Sequence, residues 1–87
     1  MTTDYTTLAQ RLDQAHEWPC CYTFKFIVPK ARQEEVVCLF GPEAFIGKTA
    51  SRTGKYMSIT VETGMESSAQ VIDVYKRAAT IQGIVML

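Results

Sequence analysis

The clearest pattern in the chain is an alternation of apolar and polar residues with period two. It runs over residues 20–28 and again over residues 55–63, and it predicts two β-strands that each bury one face. The side chains expected on the buried faces are Tyr22, Phe24, Phe26, Val28, Met57, Ile59 and Val61. Residues 44–52 have the length of a strand but alternate too weakly to show which face is buried. The pair Thr53-Gly54 separates residues 44–52 from the strand over residues 55–63 and predicts that the two strands form a hairpin.

Apolar residues at helical spacing predict two helices in the first half of the chain. The first lies at the N-terminus and is expected to end at Trp18, because a proline follows it. Thr3 or Asp4 is available as its N-cap. The second is expected over residues 31–40, and Gly41-Pro42 after it is a common way to end a helix.

The last third of the chain predicts one more helix and one more strand. The helix opens with a capping box, in which Ser67 and Gln70 satisfy free amides at the helix N-terminus. Residues 81–87 are apolar and predict the final strand. After the leading helix the order is βαββαβ, which predicts an α+β, ferredoxin-like sandwich: a four-stranded antiparallel sheet with the helices on one face. We expect an N-terminal helical extension over residues 1–18 and this domain over residues 19–87.

Three segments of the chain resemble a known family. Residues 18–29, with the run Trp-Pro-Cys-Cys-Tyr, resemble the opening strand of the YbeD-like family of small bacterial proteins. Residues 51–60, with the sequence Gly-Lys-Tyr, resemble its hairpin, and residues 74–87 resemble its closing helix and strand. The resemblance implies an ACT-like ferredoxin fold, similar to the regulatory domain of phosphoglycerate dehydrogenase. It implies no established activity, since the family is a domain of unknown function.

The resemblance does not extend to an amino-acid ligand. ACT domains that bind amino acids usually carry an aspartate and a glycine in the loop after the first strand. Residues 29–32 contain neither. The fold is therefore implied, and the ligand is not.

Charge and cysteine content narrow the classes of partner and compartment. Nine basic residues balance nine acidic ones, which argues against a partner held mainly by long-range charge, such as duplex DNA or an acidic membrane. The chain has three cysteines, an odd number and too few for a disulfide-rich scaffold. Its first residues do not form the basic run followed by an apolar core that is typical of a signal peptide. Apolar runs are far shorter than the roughly 18 residues that a membrane span requires. These features predict a cytoplasmic protein with reduced thiols.

The residue types that carry catalysis are poorly placed for it. The one histidine, His16, lies on the terminal helix, and Glu34 and Glu35 are neighbours that point apart on a helix. Cys20 and Cys21 are neighbours in a strand and point to opposite faces, so they do not predict a metal site. We therefore expect no catalytic residue, no metal and no cofactor, and a small enzyme ranks third among the functions considered.

An RNA-binding module is the second function considered, because RNA-recognition domains share this topology. The candidate residues are the cations around the hairpin and the tyrosine beside them, namely Lys25, Lys48, Arg52, Lys55 and Tyr56. The zero net charge argues against nucleic acid, so a solvated sheet edge is the preferred interpretation of these residues.

The final strand supplies the leading hypothesis. It is expected at a sheet edge, yet it carries no charge and no proline, which normally protect such an edge. If Ile81 and Val85 face the helices, Ile84 and Met86 lie beside Ile27 on the open side of the sheet and form an apolar interface. The N-terminal helix covering this region is the alternative. The leading hypothesis is a non-catalytic regulatory or adaptor module, a homodimer that binds a protein partner or a small metabolite.

Overall fold

The computed structural model describes residues 5–86 and shows the expected ferredoxin-like α+β sandwich with an additional N-terminal helix. The helices are α1 (Tyr5–Ala15), α2 (Gln33–Val37, preceded by a 3-10 turn over Lys30–Arg32) and α3 (Ser68–Ala78). The strands are β1 (Cys20–Pro29), β2 (Phe45–Ala50), β3 (Tyr56–Met65) and β4 (Val85–Met86). Thr3 and Asp4, expected as the N-cap of α1, and Leu87, expected in the last strand, lie outside the described residues.

The strands form one antiparallel sheet in the order β2-β3-β1-β4. The two strands with the clearest alternation are its central pair, and they are in register from Cys20 opposite Met65 to Pro29 opposite Tyr56. The turn between β2 and β3 places Gly54 at a φ of +74°, a left-handed conformation that glycine adopts without steric cost. The hairpin prediction is therefore confirmed.

The core lies between one face of the sheet and the helices. Its largest fully buried side chains come from every layer: Phe24, Phe26, Val28, Val36, Ile59, Val61 and Val71. Both predicted buried strand faces are confirmed, since the buried positions of β1 and β3 alternate as expected. α1 adds Leu12 to this core and packs against α3. The boundary between an extension and a domain at residues 18 and 19 stays a prediction.

The predicted N-cap of α3 is present, and the reciprocal bond of the capping box is shifted by one residue. The Ser67 hydroxyl accepts a hydrogen bond from the Gln70 backbone amide at 3.2 Å. The Gln70 side chain in turn accepts from the backbone amide of Glu66 at 2.6 Å, one residue before the expected donor. The first bond satisfies an amide that the first turn of a helix leaves without a partner, and the second ties the residue before the N-cap to that turn.

The first two helices are shorter than expected. α1 ends at Ala15, and the indole of Trp18 folds back to donate to the Asp13 carboxylate at 2.8 Å. α2 gives way after Val37 to turns that bring the Phe40 ring against Phe24, with ring centroids 5.4 Å apart. No helix within residues 5–86 combines the length and the apolar character needed to cross a membrane.

Candidate interaction surface

On the face of the sheet that points away from the helices, residues 5–86 pack no further layer, and we call it the open face. Strand alternation and the pairing registers fix its members. They are Phe45, Gly47 and Thr49 of β2; Tyr56, Ser58, Thr60, Glu62 and Gly64 of β3; Cys21, Thr23, Lys25 and Ile27 of β1; and Val85 of β4. An antiparallel sheet commonly leaves one face solvated, but such a face is then polar.

This open face is not uniformly polar. Of the four large apolar side chains that are strongly exposed within residues 5–86, three belong to it: Phe45 at 73%, Val85 at 50% and Tyr56 at 48% exposure. Val85 lies directly opposite Ile27, so the two form one apolar corner. Phe45 forms another at the far edge strand, opposite Glu62. Exposed apolar side chains gathered on one face favour an interaction site over a purely solvated surface.

Two charged side chains of opposite sign lie between these corners. Lys25 is opposite Thr60 in the central strand pair, and Glu62 is two residues further along β3. The ion pairs formed within residues 5–86 join Arg32 to Glu35, Lys48 to Glu34 and Arg77 to Asp73. Neither open-face charge takes part in them, so both remain available to a partner.

The expected basic group around the hairpin is divided between the two sides of the sheet. Lys25 and Tyr56 lie on the open face, and Arg52 and Lys55 lie in the turn between β2 and β3. Lys48 is opposite the buried Ile59 and therefore on the helix side. Its ammonium group lies 3.8 Å from the carboxylate of Glu34. A single surface made of all five residues is thus not formed.

The final strand has the opposite phase to the one expected. Only Val85–Met86 pair, with Met86 opposite the buried Phe26 and Val85 opposite Ile27. Ile84 packs against the core, so Ile84 and Met86 are on the helix side and Val85 is on the open face. The expected placement of Ile84 and Met86 beside Ile27 was therefore wrong; their role in an interface stays a prediction.

A turn explains this change of phase. The Ile84 backbone amide donates to the carbonyl of Ile81 at 3.3 Å, and Gly83 has a φ of +79°. The apolar run is therefore interrupted before it enters the sheet. The edge is not hidden by the N-terminal helix, because α1 packs on α3 while Val85 and Met86 remain exposed.

Sequence reasoning placed Glu62 on this face by the alternation of residues 55–63, but it missed Phe45 and Val85 as members of the surface. β2 does not alternate clearly, so only its pairing with β3 shows that Phe45 and Glu62 share a face. The hairpin turn could have supplied that register, since turn length fixes strand pairing. Val85 was missed because the turn before it shifts the alternation by one residue.

A cluster of aromatic side chains lies beneath the sheet, on the helix side. The hydroxyl groups of Tyr22 and Tyr75 are 3.1 Å apart, and each ring packs edge-on against Phe24. Burial, together with the hydrogen bond to Tyr22, raises the pKa of Tyr75 well above its ordinary value of 10.0. The hydroxyl therefore stays protonated to a higher pH than that of an ordinary tyrosine, and its role here is a hydrogen bond at the border of the core.

A cleft on the helix side offers less to a ligand than the open face does. It has a volume of about 280 Å³ and lies between the end of β3, α3 and the segment after α2. Its cation, Arg77, is 3.0 Å from Asp73, and its amide, Gln70, serves the helix cap. Within residues 5–86, no three histidine, cysteine or acidic side chains converge in a way that would hold a metal ion.

Comparison with known proteins adds a family without an activity. The model of the family described as "Protein of unknown function (DUF493)" matches residues 13–87. This match confirms the resemblance to the YbeD-like proteins and includes all four strands. No curated protein and no solved structure gives a significant match to the chain.

Proposed function

We propose that this chain, which belongs to the DUF493 family of proteins of unknown function, is a non-catalytic regulatory or adaptor module that binds a protein through its open face. The observation that carries the proposal is the presence of Phe45, Val85 and Tyr56 on one uncovered sheet face. Their burial by a partner removes apolar surface from water, which is the main favourable term in protein association. Lys25 and Glu62, which lie between the apolar corners, fix the orientation of the partner through their charges.

A protein fits this face better than RNA does. Sheets that bind RNA stack bases on aromatic side chains of the two central strands and attract phosphates with cations. Here Tyr56 is the one aromatic side chain that the central pair presents, and Glu62 places a negative charge on the same strand. Aromatic side chains such as Phe45 and Tyr56 are enriched at protein interfaces relative to the rest of a protein surface.

Crosslinking in cells tests the proposal. A photo-reactive amino acid replaces Ser58, which is exposed on the open face, and in a matched control replaces Gln14, which is exposed on α1. We expect adducts of defined mass from position 58 and none from position 14. We expect the adducts from position 58 to disappear in the Phe45→Glu variant.

Several outcomes would count against the proposal. Adducts at neither position, or equally at both, would show that the open face is no binding surface. An adduct that ribonuclease digests would support the RNA hypothesis instead. A thermal-shift screen with amino acids, lipoate-like acids and nucleotides tests the metabolite hypothesis. A metabolite that binds would raise the Tm, since a ligand at about 100 times its Kd adds about 2.7 kcal/mol of stability.

A further inference from the structure

We propose that the occupant of the open face is a second copy of this chain, bound face to face about a two-fold axis. This inference rests on the proposed function, because it names the partner of that same surface. A two-fold dimer buries the same patch on both subunits, so the patch must be complementary to itself. Three features of the open face meet that requirement.

The first feature is the position of its apolar corners. Phe45 belongs to the edge strand β2 in the row of Glu62. Ile27 and Val85 lie across the sheet, on β1 and the other edge strand, in the row of Ser58. The two corners are therefore at opposite ends of one diagonal. A two-fold axis in the interface plane, along the other diagonal, brings each corner of one copy over the opposite corner of the next.

The second feature is the position of the charges relative to that axis. Lys25 is near the centre of the face, and Glu62 lies toward the Phe45 corner. The operation that carries Phe45 over Val85 also moves Glu62 of one copy toward Lys25 of the other. Each dimer then gains two equivalent ion pairs between groups that lack an ion-pair partner within residues 5–86. Such pairs fix the register of an interface.

The third feature is a glycine that the fold itself does not require. Gly47 is in the middle of β2 on the open face, its φ is not positive, and a β-carbon there would meet nothing within 4 Å. Glycine within a strand weakens it and often marks a place where another backbone comes close. In the proposed dimer, Gly47 of one copy lies over the Ser58 and Ile27 positions of the other.

The resulting arrangement belongs to a known class of sheet packing. A diagonal axis turns the strands of one sheet nearly perpendicular to those of the other, which is orthogonal packing. Equal numbers of acidic and basic residues leave no net repulsion between copies.

Sedimentation equilibrium of the full chain under reducing conditions, with reductant present because Cys21 is exposed, tests the inference. We expect a dimer whose dissociation constant rises about 30-fold or more in Phe45→Glu. Lys25→Glu places two acidic groups together and is expected to weaken the dimer about tenfold. The double variant Lys25→Glu/Glu62→Lys restores the pair with its signs exchanged, so its dissociation constant should return close to that of the wild type.

The matched control is Lys48→Glu, which reverses a charge on the helix side of the same sheet. It should leave the dissociation constant unchanged. Circular dichroism confirms that each variant is folded, which is expected since the changed side chains are exposed. A chain that is monomeric at every concentration, a dimer insensitive to Phe45→Glu, or a charge exchange that fails to restore association would each overturn the inference.

The failure of this inference is separable from that of the proposed function. A monomeric chain that still gives Phe45-dependent adducts from position 58 in cells, at a mass other than two chains, would exclude the second copy and retain the binding face. Absence of all open-face adducts would exclude both. Adducts at the mass of two chains, with a matching dimer in solution, would support both.

Discussion

Gly83 lies against Pro29, so closely that a β-carbon on the glycine would come within 2.9 Å of the proline Cγ. The contact joins the turn before β4 to the end of β1, two points far apart in sequence. Gly83 also has a φ of +79°, which side chains other than glycine rarely adopt. Beside it, Arg32 donates to the Gln82 side chain at 3.2 Å, so this turn is held at two adjacent points.

Gly83 has two reasons to be glycine, its positive φ and its contact with Pro29, and alanine substitutions at three glycines should separate them. Gly83→Ala forces a side chain into a left-handed backbone conformation and brings its β-carbon too close to Pro29. It should therefore cost about 2 kcal/mol or more of unfolding free energy. Gly54→Ala has a φ of +74° but open space around it, and should cost about 1 kcal/mol. Gly47→Ala meets neither constraint and should stabilise the monomer by about 0.5 kcal/mol. Chemical denaturation at a concentration where the chain is monomeric measures the series.

The order of the three glycine variants is the critical result. If Gly83→Ala costs no more than Gly54→Ala, the contact with Pro29 does not constrain the turn. At roughly 4–8 °C per kcal/mol in a domain of this size, the same order should be visible in the Tm values.

The C-terminal turn also shows where sequence reasoning stops. β1 and β3 could be predicted because their period-two alternation persists over a long segment with one side buried. Residues 84–87 are all apolar, so alternation there does not show which side chains face the core, and the contact of Gly83 with Pro29 is non-local. Lys48 illustrates the same limit, since its side of the sheet depends on pairing with β3.

The tyrosine pair at the border of the core should be energetically coupled. Tyr22→Phe and Tyr75→Phe each remove one hydroxyl of a pair that is 3.1 Å apart. In a double-mutant cycle we expect a coupling of about 0.5–1.5 kcal/mol, the usual net contribution of one hydrogen bond. Tyr22→Phe combined with Tyr56→Phe, a tyrosine on the open face, should be additive. An equally additive Tyr22/Tyr75 cycle would contradict the bond.

The raised pKa of Tyr75 should make the protein lose stability in alkali. Above about pH 10 the unfolded chain releases this proton while the folded chain retains it, so the free energy of unfolding falls as pH rises. Tyr75→Phe removes the group and should flatten the dependence between pH 9 and pH 11, measured by urea denaturation with reductant present. Ser67→Ala controls for lower stability alone, and its slope should match the wild type. A slope unchanged in Tyr75→Phe would contradict the assignment.

The cap of α3 should contribute measurably to stability. Ser67→Ala leaves the Gln70 backbone amide without its 3.2 Å partner and should cost about 1 kcal/mol. Ser67→Asp keeps an oxygen acceptor at the N-terminus of the helix and should recover most of that loss. Thermal unfolding of the two variants measures the difference. A Tm for Ser67→Asp as low as that of Ser67→Ala would mean that the cap does not act through an acceptor at this position.

Phe45 should be dispensable for folding, in contrast to a phenylalanine on the other side of the same sheet. Its side chain is 73% exposed, whereas Phe24 is fully buried. Phe→Val keeps a residue that favours strands at both sites, so the two changes differ chiefly in the packing that they remove. In the monomer, Phe24→Val should cost about 2 kcal/mol or more, and Phe45→Val less than about 0.5 kcal/mol. The association measured by sedimentation should change in the opposite order, weakening in Phe45→Val. If Phe45→Val destabilises the monomer as strongly as Phe24→Val, then Phe45 serves the fold, and its exposure no longer argues for a partner on the open face.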